Sequence, residues 1–218
     1  MAHPPDVPRS GIWRLPPGGT PERFGALPAG QFLNGLTIDA AGQNLYSADS
    51  LAGTIWTVPT SGGPVRAWLV DSALAPADPS PGHFGLNGVT YHNGAVWASN
   101  TDRGTLLRIP VMADGGPGAA AVVAGNLPGV DDFKFLSNRS DVAFVALNGV
   151  NEVAAVFPDG TSKVVLTAAD GLDSPTDTAV RGNQLFVTDG GGAAPHNAQL
   201  QSGTIDFTAL FRGEGITS

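Results

Sequence analysis

The sequence predicts an all-β chain of the β-propeller type, and three observations support this prediction. A short polar pair stands directly before a run of alternating apolar residues at four places. The first members of successive pairs are 53, 44 and 45 residues apart, a spacing typical of four-stranded propeller blades. Thirty glycines and eighteen prolines separate short apolar runs, as turns do in all-β proteins. The four pairs are Asn34-Gly35, Asn87-Gly88, Asp131-Asp132 and Thr176-Asp177.

Each polar pair opens a repeat with the same order of elements. An alternating first strand is predicted at 36–39, 89–92, 133–136 and 178–181. After a turn containing Gly or Asn, a second strand that ends on Asp or Asn follows at 45–49, 96–100, 143–148 and 185–189. The third strand is predicted at 53–58, 104–109, 152–156 and 203–207, and a fourth completes the first three repeats at 64–70, 120–124 and 162–166. Strands this short with Gly and Asn punctuation are the expected blade pattern.

A further half repeat precedes the first polar pair. Residues 11–15 resemble a third strand and residues 22–25 a fourth, with no first or second strand before them. We therefore expect about four blades plus a half blade, with residues 1–9 disordered or extended and residues 10–218 forming one partial propeller domain. The natural protein is expected to be longer at its N-terminus, the alternatives being a small four-bladed ring or closure by another chain. Unclosed edges could then pair with a second chain.

Composition excludes several classes of function. A formal net charge of −8 argues against nucleic acid or an anionic membrane as partner, which leaves a small molecule as the expected one. The absence of cysteine excludes disulfides, thiolate zinc sites and cysteine nucleophiles. No apolar stretch is long enough for a membrane span. The compartment is open: secreted or periplasmic if an upstream segment carries a signal peptide, and otherwise cytoplasmic.

The register of the polar pairs predicts a metal site. In a propeller the first strand of each blade lines the central channel, so Asn34, Asn87 and Asp131 are expected at its mouth, with Asp132 as the alternative to Asp131. Amide and carboxylate oxygens suit calcium or magnesium better than zinc or copper. The simpler interpretation is that Asn-Gly is only a turn, since both residues tolerate positive φ.

The segments 32–37, 45–50, 85–89 and 130–133 resemble the senescence-marker-protein, gluconolactonase and LRE-like group of six-bladed propellers, which is related to paraoxonases and diisopropylfluorophosphatase. The resemblance extends from about residue 11 to 211 and matches the C-terminal two thirds of that group. It implies a calcium ion held by a first-blade glutamate, two asparagines and an aspartate. Asn34 and Asn87 match the asparagines, and the Asp131-Asp132 pair matches the aspartate, a proposed nucleophile or base in some members. The blade with the glutamate has no counterpart in this sequence.

Other polar residues are candidates for a functional or structural role. His83, in the loop 72–84, is a candidate substrate contact or proton carrier, and Asp177 of the fourth pair is a candidate substrate contact. His92, at the end of an inner strand, is expected on the surface. The polar residues that end the second strands are expected to bond the backbone of the next turn: Asp49, Asn100, Asn148 and Asp189.

The function predicted from these residues is a calcium-dependent hydrolase of the lactonase or esterase type. The metal would polarise the carbonyl, and Asp131 or Asp132 would act as base or nucleophile. Two alternatives stay open. One is a non-hydrolytic catalyst, since some fungal relatives are pericyclases, and the other is a propeller that only binds a ligand or partner.

Overall fold

A computed structural model describes residues 10–192 and 198–212 of the chain, so the predicted disordered segment 1–9 lies outside the described residues. The described residues form seventeen strands and one short α-helix. The strands are β1 (Gly11–Arg14), β2 (Glu22–Ala26), β3 (Leu33–Ile38), β4 (Asn44–Asp49), β5 (Thr54–Pro59), β6 (Arg66–Val70), β7 (Leu86–His92), β8 (Ala95–Asn100), β9 (Thr105–Pro110), β10 (Ala121–Ala124), β11 (Val130–Ser137), β12 (Ser140–Leu147), β13 (Glu152–Val156), β14 (Ser162–Leu166), β15 (Pro175–Arg181), β16 (Gln184–Asp189) and β17 (Gln199–Thr204). Helix α1 spans Phe207–Leu210, and single 3₁₀ turns lie at Asn148–Val150 and Ala168–Asp170.

The strands form antiparallel sheets in which every strand pairs with its neighbour in sequence. Within the described residues there are three four-stranded sheets (β3–β6, β7–β10 and β11–β14), one three-stranded sheet (β15–β17) and the pair β1–β2. Over the described residues this is the blade pattern predicted from the repeats, with a two-stranded sheet from the half repeat and three strands in the last repeat. The predicted fold class, an all-β chain of the β-propeller type, is therefore confirmed.

The chain divides into two compact units, Met1–Val122 and Val123–Ser218. In unit 1 the sheets of β3–β6 and β7–β10 pack face to face. Their shared core contains fully buried Ile55, Leu74, Leu86, Val89 and Ile109. The ring of Tyr46 packs edge-on against Trp68 at a centroid distance of 5.0 Å. Alternate residues of each strand point into this core, which is why the apolar alternation of the sequence predicted the strands.

Unit 2 repeats the arrangement with the sheets of β11–β14 and β15–β17. Phe144, Val153, Ala155 and Val187 are buried between these two sheets, and helix α1 adds Leu210 to the same core. Lys163 on β14 donates a hydrogen bond of 2.7 Å from Nζ to the carbonyl of Ala209 near the end of α1. The helix thereby covers an edge of the core that the three-stranded sheet leaves open.

The polar residues at the ends of the second strands bond loop backbone, and for Asp49 and Asn100 the bond reaches the next turn, as predicted. The carboxylate of buried Asp49 accepts hydrogen bonds from the backbone N–H groups of Phe32, Leu51 and Ala52 and from the indole of Trp56. The other three residues also bond backbone before or at the start of a first strand, which for Asn148 and Asp189 is not the predicted next turn. Asn100 donates to the carbonyls of Ala73 and Ala75, Asn148 donates to that of Pro175, and Asp189 accepts from Asp173 and Gln201.

Two predictions of detail were wrong. The last third strand occupies Gln199–Thr204 rather than 203–207, because Asp206 accepts a hydrogen bond from the N–H of Ala209 and begins α1. His92 is 6% exposed rather than solvated, and its ring packs edge-on near Trp97. No helix in the described parts of the chain is long and apolar enough to cross a membrane.

Candidate functional site

The four polar pairs are β-bulges inside the first strands. In unit 1, Leu33 pairs with Asp49 and Leu36 pairs with Ser47, so the two residues of the first pair oppose a single residue of β4. The same irregularity separates Leu86 from Val89, Val130 from Phe133 and Pro175 from Asp177. Both Asn-Gly pairs lie inside strands, β3 and β7, and neither has a positive φ, so they are not turns. Bulges redirect side chains and are frequent next to functional sites.

The bulges fix which residues are equivalent. Asn34, Asn87, Asp131 and Thr176 occupy the first bulge position. The second position holds Gly35, Gly88, Asp132 and Asp177. Asp131 is therefore the aspartate in register with the two asparagines, whereas Asp132 and Asp177 stand where the first two repeats have glycine.

Unit 1 places Asn34 and Asn87 on neighbouring strands with the same anchoring contact. The amide nitrogen of Asn87 donates to the hydroxyl of Thr101 at 2.9 Å, and that of Asn34 donates to the hydroxyl of Ser50 at 3.5 Å. Each hydroxyl belongs to the residue that directly follows the second strand of its own sheet. Because each asparagine is anchored through its amide nitrogen, the anchoring bond does not use its amide oxygen.

The amide oxygen of Asn87 is buried and has no hydrogen-bond partner among the described residues. Asn87 is 8% exposed, so solvent cannot readily supply one. A buried oxygen left in this way costs about 1–3 kcal/mol, and such atoms are uncommon in native structures. The oxygen is therefore a candidate ligand for a hard cation. Asn34, by contrast, is exposed.

Gly35 brings the two bulges of unit 1 into direct contact. A Cβ atom at this position would lie 2.6 Å from the backbone nitrogen of Val89 and 2.7 Å from the carbonyl oxygen of Asn87. Only glycine allows this approach of two backbones. The glycine of the first polar pair thus has a packing role that positions the strand of Asn87 beside that of Asn34.

Unit 2 brings together Asp132, Asp177 and Lys134. Each aspartate accepts a hydrogen bond from the N–H that follows it, Asp132 from Phe133 at 2.8 Å and Asp177 from Thr178 at 2.7 Å. The ammonium group of Lys134 lies 3.8 Å from the Asp132 carboxylate. Burial raises the pKa of Asp132 to about 6; the Asp177 charge raises that pKa further, whereas Lys134 and the Phe133 N–H oppose the shift. Asp131 is half-buried.

His83 lies at the same end of unit 1 as the two asparagines. Its Nδ1 is 3.0 and 3.1 Å from the two carboxylate oxygens of Asp102, which directly follows Thr101, the partner of Asn87. The sequence indicated His83 but not Asp102. The two are 19 residues apart in sequence, and their contact depends on how the loop before β7 folds back against the loop after β8.

The donor set fits an oxygen-ligated cation better than a transition metal. In residues 10–192 and 198–212, no three His, Cys, Asp or Glu side chains cluster as metal ligands. Amide oxygens are hard ligands of the kind calcium prefers, and the partnerless oxygen of Asn87 in unit 1 is the structural observation that agrees with such a ligand.

Comparison with known proteins supports the fold alone. No family model and no curated protein sequence matches the chain. Among solved structures, a gluconolactonase from Xanthomonas campestris is similar with a TM-score of 0.67 at 15% identity, over 92% of this chain and 67% of that one. The calcium-binding protein regucalcin from Agrobacterium tumefaciens has a TM-score of 0.63 at 20% identity, over 84% and 62% of the two chains.

Virginiamycin B lyase from Staphylococcus aureus is a third similar structure, with a TM-score of 0.63 at 13% identity over 92% of this chain and 61% of that one. The chain spans about three fifths of the length of several such structures. The antiparallel four-stranded sheets of this chain and its similarity to these structures lead to the same conclusion. The chain has a β-propeller fold.

Proposed function

We propose that this chain is part of a calcium-dependent hydrolase that opens lactones or cleaves esters of small molecules. The observation that carries the proposal is the amide oxygen of Asn87, buried and without a partner among the described residues, in the same bulge position as Asn34 and Asp131. Similarity of fold to a gluconolactonase and to a calcium-binding protein is consistent with it.

The proposed ligands are Asn34, Asn87 and Asp131, with Asp132 as the alternative carboxylate. A bound calcium ion would polarise the carbonyl of the substrate and favour the charge that develops on its oxygen. The chain holds the ligands without flexible loops: both asparagines sit in β-bulges, and each is fixed through its amide nitrogen to the hydroxyl of Ser50 or Thr101. Such anchoring keeps the amide oxygens aimed before any ligand arrives.

Asp132 is the group best suited to accept a proton from the attacking water. Its pKa of about 6 leaves it mostly ionised at neutral pH, yet far more basic than an exposed aspartate. Asp177 raises the pKa of Asp132 and Lys134 lowers it. Both residues therefore act through Asp132, as positioning residues. Asp177 is also proposed to contact the substrate, as the sequence suggested.

Hydrolysis of a panel containing a sugar lactone, an aromatic lactone and an aryl ester tests the proposal. Turnover that stops in excess chelator, returns with added calcium and is lost in Asp131→Asn or Asp132→Asn supports it. An exposed variant, Asp114→Asn, serves as the matched control for loss of a carboxylate. Turnover insensitive to chelator, or no turnover of any panel member with calcium present, contradicts a calcium-dependent hydrolase.

A further inference from the structure

Unit 1 contains a cleft, here called the phenylalanine cleft, of about 940 Å³. This is within the size range of small-molecule sites. Phe32 and Phe84 form one wall, with ring centroids 5.4 Å apart and planes inclined at 41°. Both rings remain more than one third exposed, which leaves aromatic surface facing the cleft. The lining also includes Leu51, Pro76, Pro79 and His83.

Hydrogen bonds from the last residue of β8 and from the loop after it hold the far side of the cleft. Asn100 binds the carbonyls of Ala73 and Ala75, and Arg103 donates from Nε to the carbonyl of Ala75 at 3.1 Å. The carboxylate of Asp102 accepts from the N–H of Ala77 at 3.2 Å. The cleft is thus held before any ligand binds, and prearranged walls lower the entropy cost of binding.

Two polar side chains line the cleft, Ser80 and His83, and His83 carries the ring nitrogen that can accept a hydrogen bond. Because Nδ1 lies at hydrogen-bond distance from the Asp102 carboxylate, the neutral ring carries its proton there and presents Nε2 as an acceptor. The Asp78 carboxylate lies 3.9 Å from Nε2. Two carboxylates, Asp78 and Asp102, therefore face this histidine and disfavour anionic ligands. The phenylalanine and proline lining disfavours burial of any charged group, so a neutral hydrogen-bond donor fits the cleft best.

We infer that the phenylalanine cleft binds a neutral, hydroxylated aromatic ring, with the ring against Phe32 and Phe84 and the hydroxyl donating to Nε2 of His83. Aromatic surface gains both area burial and edge or offset contacts with the two phenylalanines. The hydroxyl donates to Nε2 of His83, which is an acceptor because Asp102 keeps the ring proton on Nδ1. Binding at this cleft needs no metal ion. The inference can therefore be correct or wrong independently of the proposed hydrolase activity.

A matched pair of fluorescent probes tests the inference on the intact chain in excess chelator. 2-Naphthol carries the ring and the hydroxyl, whereas 2-methoxynaphthalene carries the same ring without a donor. At pH about 8, where histidines are ordinarily neutral, we expect the wild type to bind 2-naphthol about tenfold more tightly than 2-methoxynaphthalene. His83→Ala should remove that preference, and Phe84→Ala should weaken both probes about tenfold.

Phe207→Ala removes an equally exposed phenylalanine from unit 2 and should leave both affinities unchanged. Asp102→Asn tests whether Asp102 acts by fixing the tautomer of His83. The asparagine keeps one side-chain oxygen near Nδ1 but favours that tautomer less strongly. The preference for 2-naphthol should therefore fall, while the affinity for 2-methoxynaphthalene should stay unchanged. The inference is overturned if neither probe binds, if Phe84→Ala binds both as the wild type does, or if the hydroxyl preference survives in His83→Ala.

Discussion

Asp132→Asn is expected to change how the stability of the protein depends on pH. Burial is the main reason that the pKa of this carboxyl is raised from 3.8 to about 6 in the folded protein, and the Asp177 charge adds to it. The folded state therefore binds the proton more tightly than the unfolded state does. The favourable contribution is fully present below pH 3.8 and is lost as pH rises through about 6. At 1.36 kcal/mol per pH unit, the gap between the two pKa values corresponds to about 3 kcal/mol.

Asparagine preserves most of the local geometry while removing the titration. Its side-chain oxygen can still accept the hydrogen bond from the N–H of Phe133, and only the 3.8 Å ion pair with Lys134 is lost. The free energy of unfolding of Asp132→Asn minus that of the wild type should thus rise by about 2–3 kcal/mol between pH about 4 and pH about 7.5. Using the difference cancels the other carboxyl groups of the chain.

Urea unfolding followed by far-UV circular dichroism, with chelator present, measures this difference. Tryptophan fluorescence would report on the wrong part of the molecule, because all four tryptophans lie in the unit that does not contain Asp132. A ¹³C titration of the Asp132 carboxyl gives its pKa directly. That pKa should fall in Asp177→Asn and rise in Lys134→Met. A difference that stays constant across the pH range would refute the reasoning.

Three other substitutions test the packing and hydrogen bonds that position the site. Gly35→Ala should destabilise the protein by about 2 kcal/mol or more, because its Cβ would lie 2.6 and 2.7 Å from backbone atoms of Val89 and Asn87. Gly203→Ala, whose Cβ meets nothing within 4 Å, should change stability by less than about 1 kcal/mol; equal effects of the two would show that the bulges are not in contact. Asp49→Ala should cost about 3 kcal/mol in urea unfolding, since four donors lose their acceptor, and a cost below about 1 kcal/mol would contradict that role.

The blades could be predicted from the sequence because each strand carries its own evidence. Apolar alternation marks the faces of strands such as β11, where Lys134 separates buried Phe133 and Phe135, and Gly or Asn marks the hairpins between strands. The pair β1–β2 and the three strands described for the last repeat followed from the same counting. The end of the last third strand was misplaced because Asp206 reads as part of an alternating strand, whereas its side chain begins a helix.

The register of the candidate site was also readable, but its local structure was not. Asn34, Asn87 and Asp131 were aligned by spacing alone, and the bulges put them in one structural position. In a β-bulge, two residues of one strand oppose a single residue of the neighbouring strand. A bulge is therefore defined by the pairing between strands, which cannot be read from the sequence. Asn-Gly in isolation therefore resembles a turn.

Long-range contacts account for what sequence reasoning missed. The Asp102 partner of His83 and the Thr101 partner of Asn87 lie on a loop that only the folded sheet brings near. The raised pKa of Asp132 depends on burial and on a second repeat, through Asp177. His92 is buried because Trp97 and the neighbouring strands surround the end of its strand, which alternation alone does not reveal.

Calcium titration by calorimetry on the chelator-treated protein is the most direct test of the central claim, that the partnerless oxygen of Asn87 is a cation ligand. The wild type should bind about one calcium ion per chain, and Asn87→Ala should bind at least about tenfold more weakly. Asn138→Ala, which alters an exposed hairpin asparagine, should bind as the wild type does. Absence of calcium binding to the wild type, or equal affinity in Asn87→Ala, would contradict the claim.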